Sequence, residues 1–141
     1  MRPEYIIIHH SLTKDSQTVS WNAIRNYHLS LGWHDIGYHF GIELIDFTYE
    51  IFVGRMMLES GAHCKQAAMN YRSIGICCVG NFDLGPVPVA QFRKLVALTQ
   101  TLMAVFNINS FKVRPHREYA TYKTCPGSKF QWDEFKDAID A

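Results

Sequence analysis

Two uninterrupted apolar runs constrain the fold of this chain more than any other feature. The first is Tyr5–His10, which contains three consecutive isoleucines, and the second, residues 73–79, has the sequence S-I-G-I-C-C-V. Strands that are apolar without alternation are typical of sheets that are covered on both faces. We therefore predict two fully buried strands, with residues 73–79 in the middle of the sheet.

Three other segments have apolar residues at the three- and four-residue spacing of a helix. The predicted helices cover residues 18–31, the segment from just after Pro88 to Phe106, and residues 129–139. Thr18 is the predicted N-cap of the first helix, and Gly32 is its predicted stop. The apolar stripe of the second helix indicates packing against a core.

Shorter extended segments lie between these helices. A hairpin is predicted over residues 38–45 and 49–53, and a brief edge strand over residues 111–113. Strands and helices therefore alternate along the chain, without repeats or linkers. This order predicts a single α/β domain over residues 1–141, in which a central mixed β-sheet is flanked by helices.

Charge and hydropathy restrict the partners that we expect. The formal net charge is +1, so no general attraction to nucleic acid or to an anionic membrane is expected. The sequence contains no run approaching the roughly 20 apolar residues that span a bilayer. The first residues continue directly into a strand without the apolar segment of a signal peptide. We expect cytoplasmic synthesis, a monomer, and no nucleic-acid or membrane partner.

A candidate metal site comes from two distant segments. The segment P-H-R-E-Y-A-T-Y-K-T-C-P-G places eight residues between His116 and Cys125, and the first strand ends in His9 and His10. Successive strand residues face opposite sides, so only one of these two histidines can join the site, and composition does not show which. Two imidazoles and a thiolate suit Zn²⁺, and three protein ligands leave one position for water. This donor set predicts a catalytic metal.

Two other histidines and two cysteines are expected to be structural. Cys77 and Cys78 are neighbours in an apolar run and are predicted to be buried thiols. His28 lies on a helical stripe and His39 in the predicted hairpin, so both are predicted to pack rather than to react. Cys125 has polar and basic neighbours, which favour a thiolate.

The order of several motifs resembles a known family. I-I-I-H-H-S-L-T, G-W-H-D-I-G-Y-H-F, G-A-H-C, N-Y-R-S-I-G-I-C-C-V-G-N-F and P-H-R-E…K-T-C-P-G occur in the order seen in type-2 N-acetylmuramoyl-L-alanine amidases. This family includes the lysozyme of T-odd phages and the animal peptidoglycan recognition proteins. The resemblance extends from Tyr5 to about Trp132. It implies a zinc cleft at one sheet edge and hydrolysis of the amide bond between the muramoyl lactyl group and L-alanine of peptidoglycan.

The resemblance also assigns roles to individual residues. It implies that the three zinc ligands are His9, His116 and Cys125. It also implies that Tyr38 and Lys123 are catalytic and that His63 lines the substrate groove. The loop from the second ligand to the third is one residue longer than is usual in the family. Lys123 is expected to stabilise charge on the carbonyl oxygen, and Tyr38 to hold water or donate a proton. Glu118 is a candidate acceptor for the second nitrogen of His116.

Three alternatives remain open at this level. A recognition module would bind muropeptides without cleaving them, and a structural zinc site would need a fourth protein ligand. A cytoplasmic enzyme of cell-wall recycling would have the same chemistry as a phage or prophage endolysin released through a holin. The compact length and the phage-type motifs favour the endolysin. A phage relative also inhibits an RNA polymerase, and no motif here tests that second role.

Overall fold

The structure, a computed structural model, describes residues 1–13 and 20–141. Within these ranges the chain forms a five-stranded sheet in the order β3-β2-β4-β1-β5. The strands are β1 (Tyr5–His10), β2 (Phe40–Ile45), β3 (Thr48–Val53), β4 (Ser73–Cys78) and β5 (Val113–Pro115). The β2–β3 pair is antiparallel and the other pairs are parallel. The predicted mixed sheet is therefore confirmed, with β4 at its centre.

Helices and short 3₁₀ turns connect the strands. The described helices are α1 (Trp21–Ser30), α2 (Val89–Phe106) and α3 (Trp132–Ile139). The 3₁₀ turns cover Gln66–Tyr71, Ser110–Lys112 and His116–Glu118. The apolar stripe of α2 contributes Leu95 and Leu102 to the main core, and Phe135 and Ile139 of α3 join it. Both helices pack against the same face of the sheet.

The two faces of β1 have different neighbours. Ile6 and Ile8 point into the core beneath α2, whereas Ile7 belongs to a small cluster on the opposite face. All three isoleucines are completely buried, because β1 lies between β4 and β5 and is covered on both sides. Alternation then places His9 on the face of Ile7 and His10 on the face of Ile8.

The structure corrects several predicted boundaries. The first helix begins at Trp21, where the Ser20 side chain accepts a hydrogen bond from Ala23 N at 3.0 Å. Thr18, the predicted cap, lies outside the described residues. Gly32 follows the helix with a φ of +89°, so its role as the stop is confirmed. Tyr38 and His39 precede β2, which begins at Phe40, rather than lying within the strand.

Two predictions near the carboxyl terminus also required correction. The edge strand is Val113–Pro115 rather than residues 111–113, because only these residues pair with β1 while Ser110–Lys112 forms a 3₁₀ turn. The last helix begins at Trp132 rather than at residue 129. Its predicted first residue, Lys129, donates its backbone N–H to Phe82 O at 2.7 Å and thereby ties the chain to the β4–α2 loop.

The close approach of α1 to β2 explains why β2 has a glycine at position 41. A Cβ atom on Gly41 would lie 2.3 Å from the Trp21 ring, so α1 can rest on this face only where the strand has no side chain. The backbone N–H of Trp21 also donates to Glu43 Oε2 at 2.9 Å. This contact fixes the start of α1 over the face that bears His9.

We expect Gly41→Ala to lower the free energy of unfolding by about 1–3 kcal/mol, because the added methyl group overpacks the Trp21 contact. Urea unfolding would measure the change. Gly85→Ala is the matched control, since a Cβ there would meet nothing within 4 Å. Equal stability of the two variants would show that α1 does not rest on Gly41.

Candidate metal centre

The three predicted ligands meet at the carboxyl edge of two neighbouring parallel strands. His9 lies at the end of β1, His116 follows β5 directly, and Cys125 ends the loop after His116. Their ligand atoms all lie within 4.8 Å of one another, and all three residues are buried. The sulfur of Cys125 is 3.7 Å from His9 Nδ1. The structure therefore brings together the residues that the motifs place far apart in sequence.

His9, and not His10, faces the candidate site. His10 points to the opposite face, where its Nδ1 accepts a hydrogen bond from Phe82 N at 3.1 Å. The backbone N–H of His10 nevertheless reaches the site and donates to Cys125 Sγ at 3.3 Å. His9 therefore contributes its imidazole to the site, whereas His10 contributes its backbone N–H.

The protonation states of the three residues suit a metal. Burial lowers the pKa of His116 to about 4 and holds the pKa of His9 well below its usual value. Both imidazoles are therefore neutral at pH 7 and have a nitrogen lone pair to offer. The basic neighbours of Cys125 do not give the expected thiolate, because burial outweighs them and raises the pKa of Cys125 to about 12. A bound cation is therefore needed to hold the thiolate. Two neutral nitrogens and one sulfur at this spacing fit Zn²⁺.

A cavity of about 470 Å³ opens over these residues. Its walls are mostly polar and aromatic, and its lining includes Ser11, His28, Trp33, Tyr38, His63, Lys65, Gln66, Asn70, Tyr122 and Lys123. The three remaining predicted site residues, Tyr38, His63 and Lys123, are therefore all present in this cavity. The structure brings the six predicted residues to one place.

Tyr38 and His63 lie against the ligand His9, whereas Lys123 affects the ligands through its charge. The ring of Tyr38 lies 5.1 Å from that of His9, between centroids, and desolvation raises the pKa of the Tyr38 hydroxyl well above its usual value. His63 Nδ1 is 2.8 Å from His9 Nε2. Lys123 is exposed at the mouth of the cavity, and its charge contributes to the lowered pKa of His116.

Glu118 does not have the predicted role. Its carboxylate accepts a hydrogen bond from Arg114 Nη1 at 3.0 Å at the surface, so it is not the acceptor for His116. Arg114 and Glu118 are four residues apart in sequence, and both side chains are exposed. Arg114 therefore holds the Glu118 carboxylate at the surface.

The histidines and cysteines that we expected to be structural are buried, as predicted. His39 Nδ1 accepts from Gly75 N at 3.0 Å, and its Nε2 lies 2.7 Å from Glu59 O. His28 Nδ1 accepts from Gly37 N at 2.9 Å, although its ring also lines the cavity. Cys77 and Cys78 are completely buried in β4.

Sequence reasoning missed two residues that shape the site. Asn70 Oδ1 accepts from the backbone N–H groups of His63 and Cys64, each at 2.7 Å. Asp83 accepts from Ser128 N at 2.8 Å and from Thr124 Oγ1 at 2.9 Å, which anchors the loop around Cys125. No local signal identifies Asp83, because its partners are more than 40 residues away in sequence.

Comparison with known proteins places this chain in a family. Residues 1–128 match the family model described as N-acetylmuramoyl-L-alanine amidase. The chain belongs to this amidase family. The predicted family, α/β fold and amidase activity are therefore confirmed.

Relatives of known name include phage and animal proteins. The amidase is 40% identical over 129 residues to the endolysin of Enterobacteria phage T3, covering 87% of this chain and 80% of the relative. It is 32% identical over 139 residues to peptidoglycan-recognition protein SC2 of Drosophila melanogaster, covering 94% of this chain and 72% of the relative. Both alignments span most of each protein.

Solved structures agree with this placement. The amidase superposes on N-acetylmuramoyl-L-alanine amidase LysC from Clostridium intestinale URNW with a TM-score of 0.84 and 30% identity, covering 99% of this chain and 87% of that one. A mutant of Drosophila PGRP-LB, solved in complex with tracheal cytotoxin, gives a TM-score of 0.76 and 26% identity, with 94% and 80% covered. Across the described ranges of this chain, no helix has the length and hydropathy to cross a membrane.

Proposed function

We propose that this amidase, as a single domain over residues 1–141, uses Zn²⁺ held by His9, His116 and Cys125 to hydrolyse the bond between the muramoyl lactyl group and L-alanine of peptidoglycan. The observation that supports it is the trio of ligand atoms within 4.8 Å of one another at the floor of an open cavity. When bound, Zn²⁺ supplies a Lewis acid that lowers the pKa of water to about 7. The amide and one water yield a lactyl carboxylate and a free alanine amine.

Lys123 is proposed to stabilise charge that develops on the amide carbonyl oxygen. Lys123 lies two residues before Cys125 in sequence. Its exposed cationic side chain therefore lines the cavity that lies over the ligands. A preorganised group aimed at such an oxygen typically contributes about 3–4 kcal/mol to transition-state stabilisation. Burial is the main cause of the lowered pKa values of His9 and His116, and the positive charge of Lys123 lowers both pKa values further, so these imidazoles stay available as ligands.

Tyr38 is proposed to act as a hydrogen-bond and proton donor. Its raised pKa means that the phenol is protonated at neutral pH, so it cannot serve as a general base there. Its ring lies beside that of His9, and Tyr38 lines the cavity. From this place the hydroxyl can donate to the reacting amide as the carbon–nitrogen bond breaks.

Three protein ligands favour hydrolysis over the two non-catalytic alternatives. A structural zinc site would use a fourth ligand. Among the described residues, the candidate cluster has three members; His10 faces away, and the nearer nitrogen of His63 already contacts His9. A recognition module that has lost its metal would not need the buried thiol of Cys125, which is present.

The cellular role is proposed from the relatives. Three phage proteins named as endolysins are each 40% identical to this chain. We therefore favour a phage or prophage endolysin that reaches the cell wall after release through a holin pore, over a recycling enzyme.

Purified peptidoglycan provides the direct test. We expect equal amounts of new N-terminal alanine and new lactyl carboxyl groups, loss of both products on treatment with EDTA, and recovery on adding Zn²⁺. Binding of peptidoglycan without either product would make the protein a recognition module. New reducing sugar ends instead would indicate a different bond.

Lys123→Ala is expected to lower kcat by about 10²–10³-fold, since it removes a group that stabilises the transition state. The free energy of unfolding should change little because the side chain is exposed. Lys94→Ala is the matched control, because Lys94 is an exposed cation on α2, against the other face of the sheet. Equal kcat values for the two variants would exclude a catalytic role for Lys123.

A further inference from the structure

We propose that His63 is a positioning residue of the metal site, which accepts a hydrogen bond from His9 and so holds the tautomer of His9 that offers Nδ1 to the metal. The inference rests on the proposed function only in that His9, His116 and Cys125 hold Zn²⁺. It assigns His63 a task toward the ligand, whereas the resemblance implied a task toward substrate.

The two ring nitrogens of His9 face different partners. Nδ1 lies 3.7 Å from Cys125 Sγ, within the ligand cluster, and Nε2 lies 2.8 Å from His63 Nδ1. A neutral imidazole has one N–H and one lone pair, and a metal takes the lone pair. If Nδ1 binds the metal, the proton of His9 is on Nε2 and must be accepted by His63 Nδ1.

The surroundings of His63 favour the same direction of this hydrogen bond, with His9 as the donor and His63 as the acceptor. Its Nε2 lies 3.4 Å from the backbone oxygen of Ser73 and 3.4 Å from Ser73 Oγ. A carbonyl oxygen only accepts, and the Ser73 hydroxyl already donates to Met69 O at 2.6 Å. The proton of His63 therefore belongs on Nε2, which leaves Nδ1 as an acceptor facing His9. With the opposite tautomers, the lone pair of His63 Nε2 would face a lone pair of the Ser73 carbonyl oxygen.

The His63 backbone is anchored, and its ring is confined by its neighbours. The backbone N–H of His63 donates to Asn70 Oδ1, and the ring packs edge-on against His39 with centroids 5.6 Å apart. A Cβ atom on Gly75 would lie 2.6 Å from the His63 ring, so β4 has space for the imidazole only because it has glycine there. A ring this confined can fix the orientation of the His9 ring it contacts.

This arrangement corresponds to a general requirement of metal sites. A ligating histidine that donates its other N–H to a fixed acceptor is oriented by it, and loss of that acceptor typically costs about 10–100-fold in metal affinity. Carboxylates and carbonyls are the usual acceptors, and here a second imidazole occupies that place. In this role His63 contacts neither the substrate nor the metal itself.

Two substitutions of His63 separate positioning from mere space filling. His63→Asn keeps an acceptor, because the amide oxygen of asparagine occupies nearly the place of Nδ1, whereas His63→Leu has none. Both variants lack the imidazole. Zn²⁺ affinity measured by competition with a chromophoric chelator should fall about 10–100-fold in His63→Leu and by less than about threefold in His63→Asn. Wild-type affinity in His63→Leu, or equal losses in both variants, would overturn the proposal.

A measurement on the wild type does not depend on whether the variants fold. In ¹⁵N NMR of the Zn²⁺-loaded protein, we expect the His9 proton on Nε2, slow to exchange and hydrogen-bonded to His63 Nδ1. Metal bound through Nε2 of His9, or a proton on His63 Nδ1, would overturn the proposal.

The outcomes also distinguish this inference from the proposed function. Zn²⁺ binding that depends on His63 in a protein that cleaves no peptidoglycan would contradict the function and support the positioning role. Cleavage with unchanged affinity in His63→Leu would contradict the positioning role alone. A wild type that binds no Zn²⁺ would overturn both.

Discussion

Cys125→Ser is expected to abolish tight Zn²⁺ binding and to reduce peptidoglycan hydrolysis by at least about 10²–10³-fold. The substitution replaces a soft thiolate with a hydroxyl that stays protonated, which leaves two imidazoles as ligands. Loss of the metal removes several kcal/mol of transition-state stabilisation, and each 1.4 kcal/mol is about tenfold in rate. Metal content and product release, measured on the same preparation, would check both parts.

The fold should survive this change, because serine is close to cysteine in size and its hydroxyl can still accept from His10 N. Cys78→Ser is the matched control: it makes the same substitution at a completely buried position in the core beneath α2. We expect this control to lower stability but to retain one zinc per chain. Full zinc content in Cys125→Ser would show that the ligand set is wrong, and full activity without zinc would show that hydrolysis needs no metal.

The metal-free protein is expected to lose several kcal/mol of stability between pH 6.5 and pH 4. Burial lowers the pKa of His63 to about 3 and of His116 to about 4, while both residues titrate near 6.5 in the unfolded chain. As the pH falls through 6.5, these imidazoles bind protons in the unfolded chain but not in the folded protein, so the free energy of unfolding decreases. Above about pH 7 both states are neutral at these residues, and stability no longer depends on them.

Each unit of pKa difference is worth about 1.4 kcal/mol, so the loss is on the order of 5 kcal/mol. This is comparable to the whole stability of a small domain, and we expect the EDTA-treated protein to unfold near pH 4. Urea unfolding across the pH range would measure the slope. The Zn²⁺-loaded protein is the control and should resist acid further, because bound metal competes with protons for the ligands. A flat profile for the metal-free protein would show that these imidazoles are not buried neutral groups.

Much of the architecture was predictable because it depends on neighbours in sequence. The uninterrupted apolar runs of β1 and β4 require cover on both faces, and both strands are buried in the sheet. The stripe on α2 repeats at helical spacing and packs into the core as predicted. Errors occurred at boundaries, such as the 3₁₀ turn before β5, where pairing with β1 decides which residues are extended.

The sequence predicted which residues belong to the candidate site, but not which of them contact one another. Residue types and motif order predicted three candidate ligands that cluster in the structure, and three further residues, Tyr38, His63 and Lys123, that line the cavity. Which of His9 and His10 enters the site follows from the face that α2 covers, and the contact of His9 with His63 joins residues 54 apart. Asp83 supports the Cys125 loop across a similar distance, and nothing near it in sequence signals this.

The sequence by itself determined the buried strands, the helical stripes and the donor set, because hydrophobic period and ligand chemistry belong to individual residues and their neighbours. Only the tertiary structure decided the direction of each histidine, the contact between His9 and His63, and the support of the Cys125 loop. These depend on strand register and loop closure, which bring distant groups within hydrogen-bond reach only when the whole sheet has formed.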